Sequence, residues 1–223
     1  MFTPKLETLP PAQRRLWDEL RHTHKHFLLY GGTALAIRLA HRSSDDFDFF
    51  SNHSFVPDGL RKAIPYLHDA EVSQFDANTL TAIVDRGGPV KVSFFWGLAL
   101  NRVKDPDATA DNGIQVASLL DVAATKLATI QQRAQARDYG DIAAIIAAGI
   151  SLSDALAAAT TVYGKQFNGA LSLKALTYFA DGDLPALNPG TQEQLRTLAA
   201  QVSLKQIPVF QPRTGVTGEG IRT

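Results

Sequence analysis

Cysteine is absent from this chain of 223 residues, so neither a disulfide nor a thiolate metal site is open to it. Net charge is absent as well, 22 Lys and Arg being balanced by 22 Asp and Glu. With no bulk field to draw in nucleic acid, an RNA or DNA partner has to be met by a local basic patch. No apolar run approaches the roughly 18 residues of a membrane span, and the N-terminus lacks the charged-then-apolar pattern of a signal peptide. A cytoplasmic protein without membrane contact is expected. No repeat of fixed period stands out. What remains is ordinary in amount: hydrophobic residues make up 45% of the chain, enough for one large domain or two modest ones with a proper core.

The informative stretch is 27–50. An apolar, strand-like run, Phe27-Leu28-Leu29-Tyr30, ends in Gly31-Gly32, and an Ala- and Leu-rich helical run begins at Thr33 and continues to Ala40. A glycine pair opening a helix leaves backbone N–H groups unscreened by side chains, which lets an anion such as a phosphate approach. A polar turn follows, and then Asp46-Phe47-Asp48-Phe49. In an extended segment Asp46 and Asp48 share one face while Phe47 and Phe49 take the other. Two adjacent carboxylates repel each other unless a cation lies between them, and hard oxygen ligands suit Mg2+. Taken singly, a glycine pair is also a common tight turn and Asp-x-Asp a common solvated strand face. In this order, separated by one helix, they point to a phosphate cradle beside a metal site.

The stretch resembles the nucleotidyltransferase superfamily typified by DNA polymerase beta, in which a Gly-Gly or Gly-Ser turn holds the triphosphate and an Asp-x-Asp pair holds the metals. The fuller pattern Gly31-Gly32-Thr33, then His41-Arg42-x-Ser44-x-Asp46-x-Asp48-Phe49-Phe50, resembles more narrowly the AbiEii/AbiGii-type toxins of bacterial toxin–antitoxin and phage-defence systems. The resemblance implies nucleotide binding by Gly31, Gly32, Thr33, Arg42 and Ser44, and Mg2+ or Mn2+ on Asp46 and Asp48. His41 reads as structural or as a support to the ligands.

Upstream, residues 10–24 place Leu16, Trp17 and Leu20 at helical spacing behind a proline. His22, His24 and His26 alternate across an expected helix end and strand start, so their side chains need not converge on a metal. Downstream, 57–69 reads as a helix kinked or shortened by Pro65. Glu71–Phe75, Leu80–Val84 and Val90–Phe95 read as an antiparallel meander extending the sheet. The superfamily usually carries a third carboxylate on the last of these strands. By resemblance its place falls on Ser93, which is neutral, and Asp85 replaces it only if the hairpin register allows.

Residues 96–112 are polar and aperiodic and read as a connecting loop. From Val116 onward the pattern is helical, with Ser118 and Asp121 as a capping box and Thr191 and Gln194 as another. Asp138 and Asp141, three apart, read as an N-cap and a dipole-favoured acid at a helix start. Lys126, Arg133, Arg137, Asp138 and Asp141 also match the second signature of the same toxin family. That resemblance implies phosphate contact by Lys126 and a catalytic or orienting part for Asp141 and Asp138, although Arg133 and Arg137 are equally placed to pair with the acids.

The expectation is thus an α+β protein: a nucleotidyltransferase-like mixed sheet with flanking helices over 1–112, a helical bundle over 113–210 closing over the active face, and a flexible tail over 211–223. The expected chemistry is transfer of a nucleoside monophosphate from a nucleoside triphosphate to an acceptor, RNA such as tRNA by resemblance, with a cognate antitoxin as protein partner. Two alternatives stand beside it: a nucleotide- or RNA-binding module disabled by Ser93, and a nucleotidyltransferase acting on a small molecule.

Overall fold

The computed structural model describes residues 1–97 and 100–216. The chain divides into two compact units: Met1–Leu100 with Asp105–Ser118 and the segment from Thr214, and Asn101–Lys104 with Leu119–Arg213. In the first unit α1 (Pro11–Trp17) leads to β1 (Leu28–Tyr30), α2 (Gly31–Leu39), β2 (Asp46–Ser51) and α3 (Pro57–Ala63). A meander follows, β3 (Glu71–Asp76), β4 (Thr79–Asp85) and β5 (Pro89–Trp96), and then two short strands, β6 (Asp107–Ala108) and β7 (Gln115–Val116). The seven strands form one mixed sheet in the order β3-β4-β5-β2-β1-β7-β6.

Alternation explains the strands that carry the core. Along β2 burial alternates residue by residue, with Phe47 and Phe49 fully buried and Asp46 and Asp48 on the other face. Phe49 stacks on Phe94 at 5.4 Å, Phe27 meets Phe94 edge-on at 5.0 Å, and Trp17 of α1 reaches Phe47 at 6.2 Å. Each such ring contributes on the order of 1.5–3 kcal/mol by leaving water. Leu16, Trp17 and Leu20 are all buried, as their spacing predicts. Pro65 ends the helical run at Ala63 and opens a 3-10 turn, Pro65–Leu67.

The structure corrects the stretch 96–118. Instead of a plain loop followed by helix, the chain returns to the sheet: β7 runs parallel to β1 through Leu29 and Val116, and β6 pairs with β7. Arg38 of α2 secures this edge by donating to the carbonyls of Val116 and Ala117 at 3.2 and 2.9 Å and to Asp107 at 3.2 Å. Two residues per strand are too few to show any period.

The second unit contains α4 (Leu119–Thr129), α5 (Ala136–Ala147), α6 (Leu152–Tyr163), α7 (Gly169–Ala175) and α8 (Pro189–Gln201). α4 packs on α6, and buried Ala123, Ala124, Ala155, Ala158 and Ala159 present small side chains along these two helices. Two of the caps differ from those read in the sequence. Asn188 caps α8 by accepting from Gly190 and Thr191, so the Thr191 and Gln194 pair lies inside the helix. α5 starts two residues before Asp138, and its Ala136 N–H donates to Asp183 at 2.6 Å. Asp121 accepts from the N–H groups of Val103 and Lys104, at 2.7 and 3.2 Å. In the segment read as a tail, Arg213 bridges Arg102 and Val216 is buried, while residues from 217 onward lie outside those described.

Candidate functional site

The sheet unit brings the first signature together. β1 passes directly into α2 at Gly31, whose φ of +73° suits a residue without Cβ, and the side chain of Tyr30 does not cap the helix. In the register of β1 with β2, Tyr30 lies opposite Asp48. A Cβ on Gly31 would come within 2.9 Å of Asp48 Oδ2, so the carboxylate sits against the glycine at the positive end of α2. A Cβ on Gly32 would collide with the Arg42 guanidinium and approach Ser44 Oγ to 3.0 Å. Gly31 is thus favoured by its backbone as well as by its neighbour, Gly32 lies tight against Arg42 and Ser44, and these neighbours are residues the sequence singled out.

Thr33 and Ser44 are buried and form a brace beneath the site. Thr33 Oγ1 donates to Ser44 Oγ at 2.9 Å and also contacts the carbonyl of Asp46. The Thr33 hydroxyl thus ties the first turn of α2 to the strand bearing the acids, and what Thr33 can offer an anion is its main chain. Arg42 donates to the carbonyl of Ser43 at 2.9 Å.

Asp46 and Asp48 share one face, as the alternation predicts, and β5 lies parallel beside them with Lys91 next to Asp46 and Ser93 next to Asp48. Ser93, where the resemblance leads one to expect a carboxylate, is buried with its hydroxyl 3.4 Å from that of Thr81. Asp85 does not replace it: Asp85 pairs with Pro89 while Thr81 pairs with Ser93, so Asp85 lies four residues along the hairpin, about 13 Å away. Its carboxylate instead accepts from the N–H of Gly88 at 2.9 Å and closes the turn. Lys91 was not legible as a site residue. Its ammonium lies 2.9 Å from Asp46 Oδ2, and this bond, with Asp46 and Asp48 nearby, raises its pKa against the effect of partial burial. Only the strand register, which no local pattern fixes, reveals it.

Replacing Gly31 by alanine should show how tightly this corner is built. The left-handed backbone costs a residue with Cβ about 1–2 kcal/mol. The added methyl also displaces the Asp48 carboxylate, and misplacement on the ångström scale slows a reaction about a hundredfold. A lowered melting temperature together with this loss of turnover is the expected result.

The helical unit gathers the second signature. Lys126 of α4 donates to Asp138 Oδ1 at 2.7 Å and pairs with Asp141 Oδ2 at 2.6 Å, both on α5. Arg133 grips Asp138 through two further bonds, at 2.8 and 3.2 Å. Both carboxylates are fully buried and Lys126 is 6% exposed, so two cations and two anions form a neutral cluster joining α4 to α5. Burial pushes the Asp138 carboxyl up, but Arg133 and Lys126 outweigh it and hold it below the ordinary range. The Lys126 ammonium is engaged by both acids. Arg137 is exposed and donates to Gln135.

The histidines do not build a metal set. His26 lies 5.4 Å from His24 and 5.1 Å from His53, ring to ring, and burial followed by these two neighbours lowers its pKa to about 4. Among the described residues no three His, Asp or Glu side chains converge to hold a metal. No single helix among them is long and apolar enough to cross a membrane.

Comparison with known proteins adds to this geometry. The model of the family described as "Nucleotidyl transferase AbiEii toxin, Type IV TA system" matches residues 15–213. An uncharacterized protein of Aquifex aeolicus (strain VF5) is 35% identical over 118 residues, 52% of this chain and 55% of that protein, so the chain matches about half the length of this curated relative. Among solved structures, MenT4, a nucleotidyltransferase toxin of Mycobacterium tuberculosis H37Rv, superposes with a TM-score of 0.62 at 15% identity, covering 86% of this chain and 83% of that one. A candidate nucleotidyltransferase from H. pylori superposes with a TM-score of 0.50 at 17% identity, covering 87% and 94%. At these identities the two structures establish a shared nucleotidyltransferase fold.

Proposed function

Since the chain belongs to the nucleotidyl transferase AbiEii toxin family, we propose that it is a nucleotidyltransferase toxin, moving a nucleoside monophosphate from a nucleoside triphosphate to an acceptor. The observation that carries this reading is the packing of Gly31 and Gly32 against Asp48, Arg42 and Ser44, which sets a helix start beside a pair of acids. The triphosphate lies on the first turn of α2, where main-chain N–H groups and the Arg42 guanidinium oppose its charge. Asp46 and Asp48 would hold Mg2+ or Mn2+: both offer hard oxygens from one strand face, and the cradle leaves no room for a side chain at Gly31. Such an ion, when bound, neutralises phosphate charge and aligns the reacting oxygens.

An acceptor hydroxyl then attacks the α-phosphorus, the bond to the β-phosphate oxygen breaks and pyrophosphate leaves. The hydroxyl proton passes to solvent, because Ser93 offers no carboxylate to receive it. The acceptor in this reading is RNA, tRNA being the case suggested by resemblance, in the cytoplasm, and a cognate antitoxin protein restrains the activity. Lys126 and Asp141 serve the reaction by fixing α4 on α5.

The neutral side chain at Ser93 favours one second reading, a module that binds nucleotide or RNA without turnover. Incubation with each of four labelled nucleoside triphosphates, Mg2+ and total RNA separates the two. Label in RNA together with pyrophosphate release is expected. Nucleotide binding without release of pyrophosphate would leave the binding module as the answer, and label in a small molecule would move the acceptor to that class.

A further inference from the structure

A chain without net charge that meets RNA has to gather positive charge in one place, and the sheet unit has little to spare. Arg38 is bonded to Asp107, Arg86 to Glu19, Lys62 to Asp58 and Lys91 to Asp46, while Arg15 donates to the carbonyls of Arg86 and Gly87. Arg21 and Lys25 differ from these. Both are exposed, and neither side chain enters an ion pair or hydrogen bond among the described residues.

The two cations line one cavity of about 270 Å3, together with His24 and over a floor that includes Leu20, Phe27 and Phe49. No Asp or Glu lines it. Asp111, next to Asn112 in the wall, accepts from the indole N–H of Trp17 at 2.7 Å. The charge is concentrated in the sequence as well, since five of the six residues 21–26 are Arg, Lys or His. His26 adds nothing to it, because burial and then His24 and His53 hold its pKa at about 4. The permanent charge is therefore that of Arg21 and Lys25. Phe49 belongs to the core side of β2, so the cavity lies on the reverse of the face that carries Asp46 and Asp48. Six residues of extended chain span at most about 20 Å, which bounds the distance from Lys25 to Gly31. A nucleic-acid strand rising about 3.4 Å per nucleotide covers that distance in about six nucleotides.

Resting on the reading of RNA as the acceptor, we propose that Arg21 and Lys25, with the cavity they line, form an exosite for the phosphates of the RNA backbone, which holds the acceptor at a distance from its reacting end. Two cations with no acid beside them suit successive phosphodiesters. Contacts of this kind fix where an RNA lies and carry no information on its bases. The exosite therefore acts on the binding of the acceptor, and the chemistry stays at the glycine corner.

Fluorescence anisotropy of a labelled single-stranded oligoribonucleotide of mixed sequence, titrated with the full chain at several KCl concentrations, tests this. Arg21→Gln combined with Lys25→Gln should weaken binding about tenfold. It should also flatten the slope of log affinity against log salt by about 1.4, two phosphates at about 0.7 each. Arg21→Lys combined with Lys25→Arg keeps both charges and should bind as the wild type does. Lys165→Gln combined with Lys174→Gln removes the same charge from exposed positions of the helical unit and should leave affinity and slope unchanged. A wild type that binds no RNA, a glutamine pair at 21 and 25 that binds like the wild type, or an equal loss from the pair at 165 and 174 would overturn the proposal. Binding of poly-glutamate as tightly as RNA would overturn it too, and give the patch to an acidic protein. In transfer to total RNA, the loss in the chain lacking both charges should fall on KM rather than on kcat. Label that enters a small molecule and never RNA overturns the underlying reading, whereas label in RNA with an unchanged KM overturns the exosite alone.

Discussion

An Asp48→Asn chain is expected to fold as the wild type does and to transfer nucleotide about a thousandfold more slowly, or not at all. The magnitude follows from the charge removed: an ion held by carboxylates supplies several kcal/mol of transition-state stabilisation, and each 1.36 kcal/mol is about a factor of ten. Folding should survive because Asp48 points away from the Phe47 and Phe49 core, and asparagine matches it in size. Single-turnover assay with labelled nucleotide, beside a thermal melt, separates chemistry from stability. Undiminished transfer by this variant would show that the acids have been given the wrong part.

Lys126→Met should have the opposite profile, with stability falling first. The substitution removes the ammonium that pairs with both buried acids, Asp138 and Asp141, while Arg133 stays bonded to Asp138. Breaking a buried ion pair from one side costs about 3–5 kcal/mol, because the abandoned charge has lost its solvent as well as its partner. Urea denaturation should show this loss, and replacing Asp141 by asparagine in the same chain should recover part of it. The wild-type cluster also fixes a pH dependence. The Asp138 carboxyl is held below its unfolded value, so its stabilisation is complete above the usual Asp range near 4 and is lost as pH falls through the lower folded value. A change in activity from Lys126→Met with no change in unfolding would instead give the lysine a direct part in the chemistry.

Much of the sheet unit is legible because its chemistry is local. Alternating Asp and Phe in β2, the glycine pair after three buried strand residues, and the turn residues of the meander each announce their own geometry within a few positions. What escapes depends on partners far along the chain. Lys91 meets Asp46 across 45 positions through a strand register, and Asp183 caps α5 from 47 positions away. Asp138 reads as an N-cap because it is an acid near a helix start. The helix in fact begins at Ala136, and the carboxylate is drawn inward by Lys126 and Arg133. β6 and β7 leave no trace in the pattern because strands of two residues have no periodicity to display.

The position of β2 within the sheet has a mechanical meaning. It is hydrogen-bonded along one side to β1, which runs straight into the glycine corner, and along the other to β5. Anion cradle and carboxylates therefore ride on adjoining ribs of one stiff plate, locked underneath by the Thr33 hydroxyl. A ligand arriving here finds its contacts already spaced. Control of such a corner is expected to come from something laid over it or attached to it, because drawing its ribs apart would break the ladders that join β2 to both neighbours.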